Sequence, residues 1–335
     1  MTRAPDQGSP SLAVHLIHAP APAHLALLEG ALCDRVSLTF GQEVFEGAEV
    51  LVGGVPLPEQ LDGPAHLRAF VLPFAGIPPA TRALLLERPH LEVYNLHHNA
   101  PAVAEMAVAL MLAAARVIVP ADRALRAHDW SIRYDDKDPG LSLSGRAALV
   151  LGYGEIGRRV ARICLALGMT VRALRRGPLE QPINDDGVEV FGGARLLELL
   201  PKAEALIICL PQTEETEGLI GAEEIAALPP RAVLVNIGRA AIVDEQALFD
   251  ALSAGRLHSA GLDVWTQYPA DVEARTRTAP SRLPFESLDN VVMSPHRAGH
   301  GEDVERLRMV RLAALLDGLA GCAPLPERVD CARGY

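Results

Sequence analysis

The chain has 335 residues, of which 49% are hydrophobic, 4% aromatic and 22% charged, and a formal net charge of −11. That length suits two domains better than one core, and so few aromatic residues leave the packing to Ala, Leu and Val. An acidic chain lacks the Lys- and Arg-rich face that neutralises phosphates, which argues against a nucleic-acid partner while leaving room for a local basic pocket.

Short apolar runs alternate with helical patterns from the start. The opening stretch, MTRAPDQGSPSLAVHLIHAPAPA, has no charged leader followed by a long apolar run, so no secretion signal is read there. LAVHLIHA, VSLTF, EVLVGG, LRAFVLP and LEVYNL then read as strands with helical or loop segments between them. Residues 101–119 are Ala-rich and amphipathic and carry Glu105 and Arg116, which makes them a buried helix and not a membrane span. RAALVLGYG, TVRALRR, VEVF, ALIICLP, AVLVNIG, SAGLDV and NVVMSP repeat the strand rhythm more cleanly, with Asp185 and Asp186 in a loop. Residues 302–320 close the pattern with apolar positions at helical spacing.

Fully apolar strands alternating with helices indicate an α/β protein with parallel sheets covered on both faces. The helix at 101–118 would cross from a first domain to a second, and the last helix would pack back on the first. The expected division is 1–100 with 298–335, around 101–297. The five cysteines (Cys33, Cys164, Cys209, Cys322, Cys331) are scattered without a CxxC. That suits reduced thiols in the cytoplasm, not a disulfide framework.

The stretch LVLGYGEIGRR at 149–159 runs a strand into Gly152, Gly154 and Gly157 and on into a helix. GxGxxG alone also arises in methyltransferases and in plain structural turns; after a strand and opening a helix, it fits a dinucleotide site. Gly152 permits the tight turn, Gly154 lets the backbone approach a pyrophosphate, and Gly157 lets helix and strand pack closely. The helix start, with Glu155 and Ile156, presents free N–H groups and the positive end of its dipole. The next strand ends in Arg175 and Arg176, where NAD-binding units place an acid for the ribose 2′-OH. Arginine attracts a 2′-phosphate instead, so the expected cofactor is NADP(H), with NAD(H) second. The alternative is a solvated arginine pair with the ribose held by backbone.

From 205 to 300, ALIICLPQTEETEGLIGAEEIAALPPRAVLVNIGRAAIVDEQALFDALSAGRLHSAGLDVW and NVVMSPHRAGH resemble the cofactor domain of the D-isomer-specific 2-hydroxyacid dehydrogenase family. NLHHNAPAVAEMAVALMLAAAR resembles that family's linker helix, and FAGI at 74–77 its substrate-loop glycine. The resemblance implies two Rossmann-like or flavodoxin-like domains with doubly wound parallel sheets and a discontinuous substrate domain. It also implies a cleft between the domains and a homodimer formed mainly through the cofactor domain.

The resemblance further implies roles for single residues. Arg239 of VNIGRA would grip the substrate carboxylate and polarise the carbonyl, which suits a guanidinium. His296 of SPHRAG would protonate the carbonyl oxygen as hydride arrives, a task for a group that titrates near neutral pH. Asp263 of GLDVW would accept a bond from the nicotinamide carboxamide. Pro211, Ile237 and Gly238 would border the cofactor, and backbone groups near Gly53, Gly54 and Gly76 would hold the substrate carboxylate. His296 and His300 have helical metal-ligand spacing, but no third ligand is evident and the family uses no metal.

One position departs from the family pattern. The glutamate usually found five residues after the aspartate, paired with the histidine, is here Tyr268 in DVWTQYP. Formate dehydrogenases of the family carry a glutamine after DVW, so a one-residue slip would bring Gln267 to His296; otherwise Tyr268 would bond the imidazole. Either partner is neutral and favours the imidazolium less than a carboxylate does. The histidine pKa is therefore expected to lie lower, and the loss of activity to move to lower pH. Ala240 and Ala241 stand where the family has glycine after the arginine. His97 and His98 are read either as substrate contacts or as a loop pair with Asn99 capping the helix. The leading expectation is a cytoplasmic NADP(H)-dependent reductase of small 2-oxoacids such as glyoxylate or hydroxypyruvate. Formate-type oxidation and a dinucleotide-sensing interaction protein of the same fold are the alternatives.

Overall fold

The computed structural model describes residues 11–134, 139–326 and 328–334. Residues 1–10 of the stretch in which no secretion signal was read lie outside them. The strands are β1 (Leu12–Leu16), β2 (Val36–Phe40), β3 (Val50–Val52), β4 (Ala69–Leu72), β5 (Glu92–Asn95), β6 (Ala147–Leu151), β7 (Thr170–Arg175), β8 (Ile183–Asp185), β9 (Val188–Gly192), β10 (Ala205–Ile208), β11 (Val233–Asn236), β12 (Ser259–Leu262) and β13 (Val291–Met293). The helices are α1 (Pro22–Ala31), α2 (Pro58–Asp62), α3 (Pro79–Leu86), α4 (Ala100–Ala115), α5 (Ile118–Arg126), α6 (Glu155–Ala166), α7 (Leu196–Leu199), α8 (Ala222–Ala227), α9 (Glu245–Ser253) and α10 (Val304–Leu319). The chain divides into two compact units, Met1–Asn99 with Gly301–Tyr335, and Ala100–His300.

The first unit holds a five-stranded parallel sheet in the order β2-β1-β3-β4-β5. Every residue of β3 and β4 is buried, the mark of a sheet covered on both faces. One face is closed by the returning helix α10, whose Met309, Leu312, Leu315, Leu316 and Leu319 share a core with Leu12, Val14 and Val50. The other face buries Leu51, Phe70 and Leu72 with Leu61 of α2 and Leu85 of α3. Each such side chain contributes roughly 1.5–3 kcal/mol.

The second unit holds an eight-stranded sheet in the order β13-β12-β11-β10-β6-β7-β9-β8. Alternation along the strands feeds two cores. Val150, Ile207 and Val235 face α4 and α6, while Leu149, Leu206 and Leu234 face α8 and α9. The β6 strand lies between β7 and β10, so the strand order reverses beside the glycine turn.

Two expectations are corrected here. Asp185 is not in a loop: it ends β8, which pairs antiparallel with β9. Asp186 and Gly187 turn that hairpin with φ of 50° and 88°, as a two-residue Asp-Gly turn requires. Residues 298–300, expected with the returning segment, fall in the second unit, because Ala298 is buried in its core.

The Ala-rich helix α4 is buried along most of its length. It breaks at Val117, which adopts a left-handed φ of 55°, and α5 leaves at 67° to it. Among the described residues no single helix is long and apolar enough to cross a membrane.

Candidate cofactor and catalytic site

In the second unit the expected site residues all lie at or beyond the carboxyl ends of neighbouring strands. Arg175 ends β7, Gly152 follows β6, Pro211 follows β10, and Ile237, Gly238 and Arg239 follow β11. Asp263 follows β12 and His296 follows β13. That edge, at a reversal of strand order, is where open α/β sheets bind ligands.

The glycine turn is fixed by sterics. Gly152 has a φ of 92°, and a Cβ there would lie 2.9 Å from the Cys209 carbonyl oxygen. A Cβ on Gly157 would lie 1.9 Å from the Gly152 oxygen. At Gly154 it would meet nothing within 4 Å. No side chain caps α6 at Gly154, and Glu155 at its first position pairs with Arg159 at 2.7 Å. An uncapped helix start with open space before it fits a pyrophosphate.

Around this turn Tyr153 donates to Asp185 Oδ2 at 3.0 Å, and Arg158 reaches the same oxygen at 3.1 Å. Asp185 thus braces the turn from β8. Arg175 and Arg176 are exposed, and Arg175 makes no ion pair among the described residues. Ile237 and Gly238 are buried, and Pro211 is exposed.

The loop carrying His296 is held by an aspartate. Asp263 is fully buried. Its Oδ1 accepts from Ser294 Oγ and, at 2.8 Å, from the Arg297 amide, while Oδ2 accepts from the Ala298 amide at 2.8 Å. These bonds hold His296 at a left-handed φ of 55°, a conformation costing on the order of 1–3 kcal/mol. Both oxygens of this carboxylate, expected to meet the nicotinamide carboxamide, carry bonds from the loop. Ser294 also takes the indole N–H of Trp265 on its carbonyl at 2.8 Å.

Tyr268, not Gln267, meets the histidine. The Tyr268 hydroxyl lies 2.9 Å from His296 Nδ1 and accepts the Trp265 amide at 3.3 Å. Gln267 donates its backbone N–H to Pro280 at 3.0 Å, and its side chain makes no bond to the imidazole. Burial, and then the positive charge of Arg239, lower the His296 pKa below its ordinary value, with Asp263 opposing.

Arg239 is exposed at the end of β11, and a residue not expected in the site shapes its backbone. Asn236, buried, accepts the Gly238 amide and donates to the Arg239 carbonyl, both at 3.0 Å. This is the local side-chain bonding by which Asn builds turns. Asn236 and Ser294 sit inside VNIGRA and SPHRAG, so the motifs contained them, but their roles needed the fold.

In the first unit, Gly53 and Gly54 follow β3, and Gly76 follows β4. Gly53 spends its N–H on the Val71 carbonyl at 3.0 Å, so it has none to give a substrate. The N–H groups of Gly54 and Gly76 make no backbone bond among the described residues. His97 is exposed and His98 buried. Among the described residues no group of three or more His, Cys, Asp or Glu side chains could hold a metal ion.

Residues 108–298 match the profile of a family described as D-isomer specific 2-hydroxyacid dehydrogenase, NAD binding domain. The chain is 38% identical over 217 residues to a glyoxylate reductase of Aeropyrum pernix, covering 64% of this chain and 61% of that protein. It is 35% identical over 207 residues to a D-3-phosphoglycerate dehydrogenase of Archaeoglobus fulgidus, covering 62% of this chain and 36% of that protein. The matches therefore span less than two thirds of either relative. Among solved structures, a D-isomer specific 2-hydroxyacid dehydrogenase from Xanthobacter autotrophicus Py2, in complex with NADPH and MES, aligns with a TM-score of 0.77. Its identity is 26%, over 97% of this chain and 100% of that one.

Proposed function

Because the chain belongs to the D-isomer-specific 2-hydroxyacid dehydrogenase family, we propose that it is an NADP(H)-dependent oxidoreductase of small 2-oxoacids and 2-hydroxyacids, with glyoxylate or hydroxypyruvate as the acid reduced. The observation that carries this reading is the His296 ring, bonded to Tyr268 and close enough to Arg239 to feel its charge, on the same sheet edge as the glycine turn. Likeness to a glyoxylate reductase and to an NADPH-bound relative supports it.

When bound, the nicotinamide supplies or takes up the hydride. Gly152, Gly154, Gly157 and the start of α6 would hold its pyrophosphate, Arg175 and Arg176 its 2′-phosphate, and Pro211, Ile237 and Gly238 would border it. Arg239 binds the substrate carboxylate and draws charge from the carbonyl. His296 gives the proton to the carbonyl oxygen from Nε2. With the proton leaving from Nε2, Nδ1 keeps its hydrogen in both states and donates it to the Tyr268 hydroxyl, so Tyr268 holds the ring throughout. Asp263 acts as a positioning residue through the loop.

The proposal includes a cytoplasmic homodimer. Ile118, Leu125, Trp130 and Tyr134, in α5 and the turn after it, are all exposed, an apolar stretch that a second copy would cover. Formate-type oxidation loses its motif, since Gln267 does not reach His296.

The test is dinucleotide oxidation with glyoxylate, hydroxypyruvate, pyruvate and phenylpyruvate, using NADPH and NADH. Turnover should be faster with NADPH, fall about 1000-fold in Arg239→Ala, and shift toward NADH in Arg175→Asp. Tight cofactor binding with no turnover of any acid would sink the reading and leave a dinucleotide-sensing protein.

A further inference from the structure

The first unit is built from two stretches of chain far apart in sequence, and two cysteines meet where those stretches join. Cys33 follows α1 and Cys322 follows α10. One residue anchors both. The Cys33 amide donates to the Asp317 carboxylate at 2.9 Å, and the Cys322 amide donates to the Asp317 carbonyl at 2.7 Å. Through Asp317 the backbones of the two cysteines are thus held at one residue. Both cysteines are unpaired, Cys322 exposed and Cys33 half-buried, whereas Cys164 is buried inside the second unit.

We propose that Cys33 and Cys322 are a reversible redox site, whose disulfide staples the N-terminal and C-terminal stretches of the first unit together. The oxidant is a small external disulfide of the glutathione class. The exposed Cys322, as its thiolate, attacks one sulfur of that disulfide. A mixed disulfide forms and one glutathione thiolate leaves. Cys33 then passes its proton to a thiolate or to water and attacks the Cys322 sulfur. The Cys33–Cys322 bond forms, and the second glutathione leaves and is protonated. Two cysteine thiols are oxidised and one external disulfide is reduced to two thiols.

The asymmetry of the pair sets the order of events. Burial first, and then the bonds to Cys322 and Asp317, push the Cys33 thiol up to about 11. Cys33 therefore stays protonated at neutral pH while the exposed Cys322 makes first contact with reagent. Closing a loop across nearly the whole chain restricts the unfolded state, so the oxidised protein should be the more stable form.

The experiment incubates the purified full chain with oxidised glutathione, alkylates it, digests it without reduction and maps the peptides by mass. The expected result is a peptide pair joined through Cys33 and Cys322, with a higher Tm than the reduced protein. Both should vanish after dithiothreitol and in Cys322→Ser, a surface change that leaves the fold intact. Cys331→Ser should keep both. A glutathione adduct on Cys322 that never resolves, a link between two chains, or a joined pair with no rise in Tm would each overturn the proposal.

Discussion

The Tyr268 hydroxyl stands 2.9 Å from His296 Nδ1, where a carboxylate would have stabilised the charged ring. Reduction of a 2-oxoacid needs that ring protonated, and burial together with Arg239 lowers its pKa from 6.5. The protonated fraction is high below the pKa and falls as pH rises through it. The kcat/KM for reduction should therefore decline with rising pH around a midpoint below 6.5. In Tyr268→Glu the midpoint, read from a pH–rate profile, should move up, because a carboxylate beside Nδ1 favours the charged ring. An unmoved midpoint would show that Tyr268 does not tune the acid.

The glycine turn separates packing from binding. In Gly157→Ala the new methyl would meet the Gly152 oxygen, and the fold should lose roughly 1–3 kcal/mol in a urea titration. In Gly154→Ala the methyl enters open space, so stability should hold while NADPH affinity drops about tenfold. Equal affinity in wild type and Gly154→Ala would mean that no phosphate approaches this turn.

Asp263→Asn tests the tether of the catalytic loop. An amide keeps one acceptor oxygen and turns a donor toward groups that already donate, the Ser294 hydroxyl or the Arg297 and Ala298 amides. The expected loss is about 2–4 kcal/mol of stability, with kcat falling more than cofactor affinity. Full activity in this variant would remove the positioning role.

His98 should make the fold acid-sensitive. It is buried, and its Nδ1 has no hydrogen-bond partner. Burial, with help from Arg308, pulls its pKa down to about 4. The unfolded chain takes up a proton near 6.5 and the folded chain resists it. The contribution is therefore complete above 6.5 and lost as pH falls toward 4, about 3 kcal/mol in all. Chemical unfolding of wild type and His98→Asn across this range should show a shallower acid dependence in the variant; parallel curves would exclude His98 as the group.

The strands were legible because each is a run of apolar residues that a doubly covered sheet must bury, Val50–Val52 and Val233–Asn236 among them. The strand β8 was not, since Ile183–Asp185 is a polar edge with no buried residue; only the Asp186-Gly187 turn announced it. At the site, residue types and spacing led to Arg239 and His296. They could not choose between Gln267 and Tyr268, because that choice depends on how the 264–268 loop is wound. Nor could they show that Asp263 spends its carboxylate on backbone amides, or that Gly53 gives its N–H to Val71. Those are matters of where chain returns in space, and neighbours in space are not neighbours in sequence.

The return of α10 to the first unit sets an order of assembly. During synthesis, residues 100–300 leave the ribosome as one complete unit, with both of its cores already encoded. The strands made before them still lack Met309, Leu312 and Leu316 and expose an apolar sheet face until the last helix emerges. The nascent chain should therefore settle its middle before its beginning, and release before residue 319 would leave a finished second unit trailing an uncovered, aggregation-prone sheet.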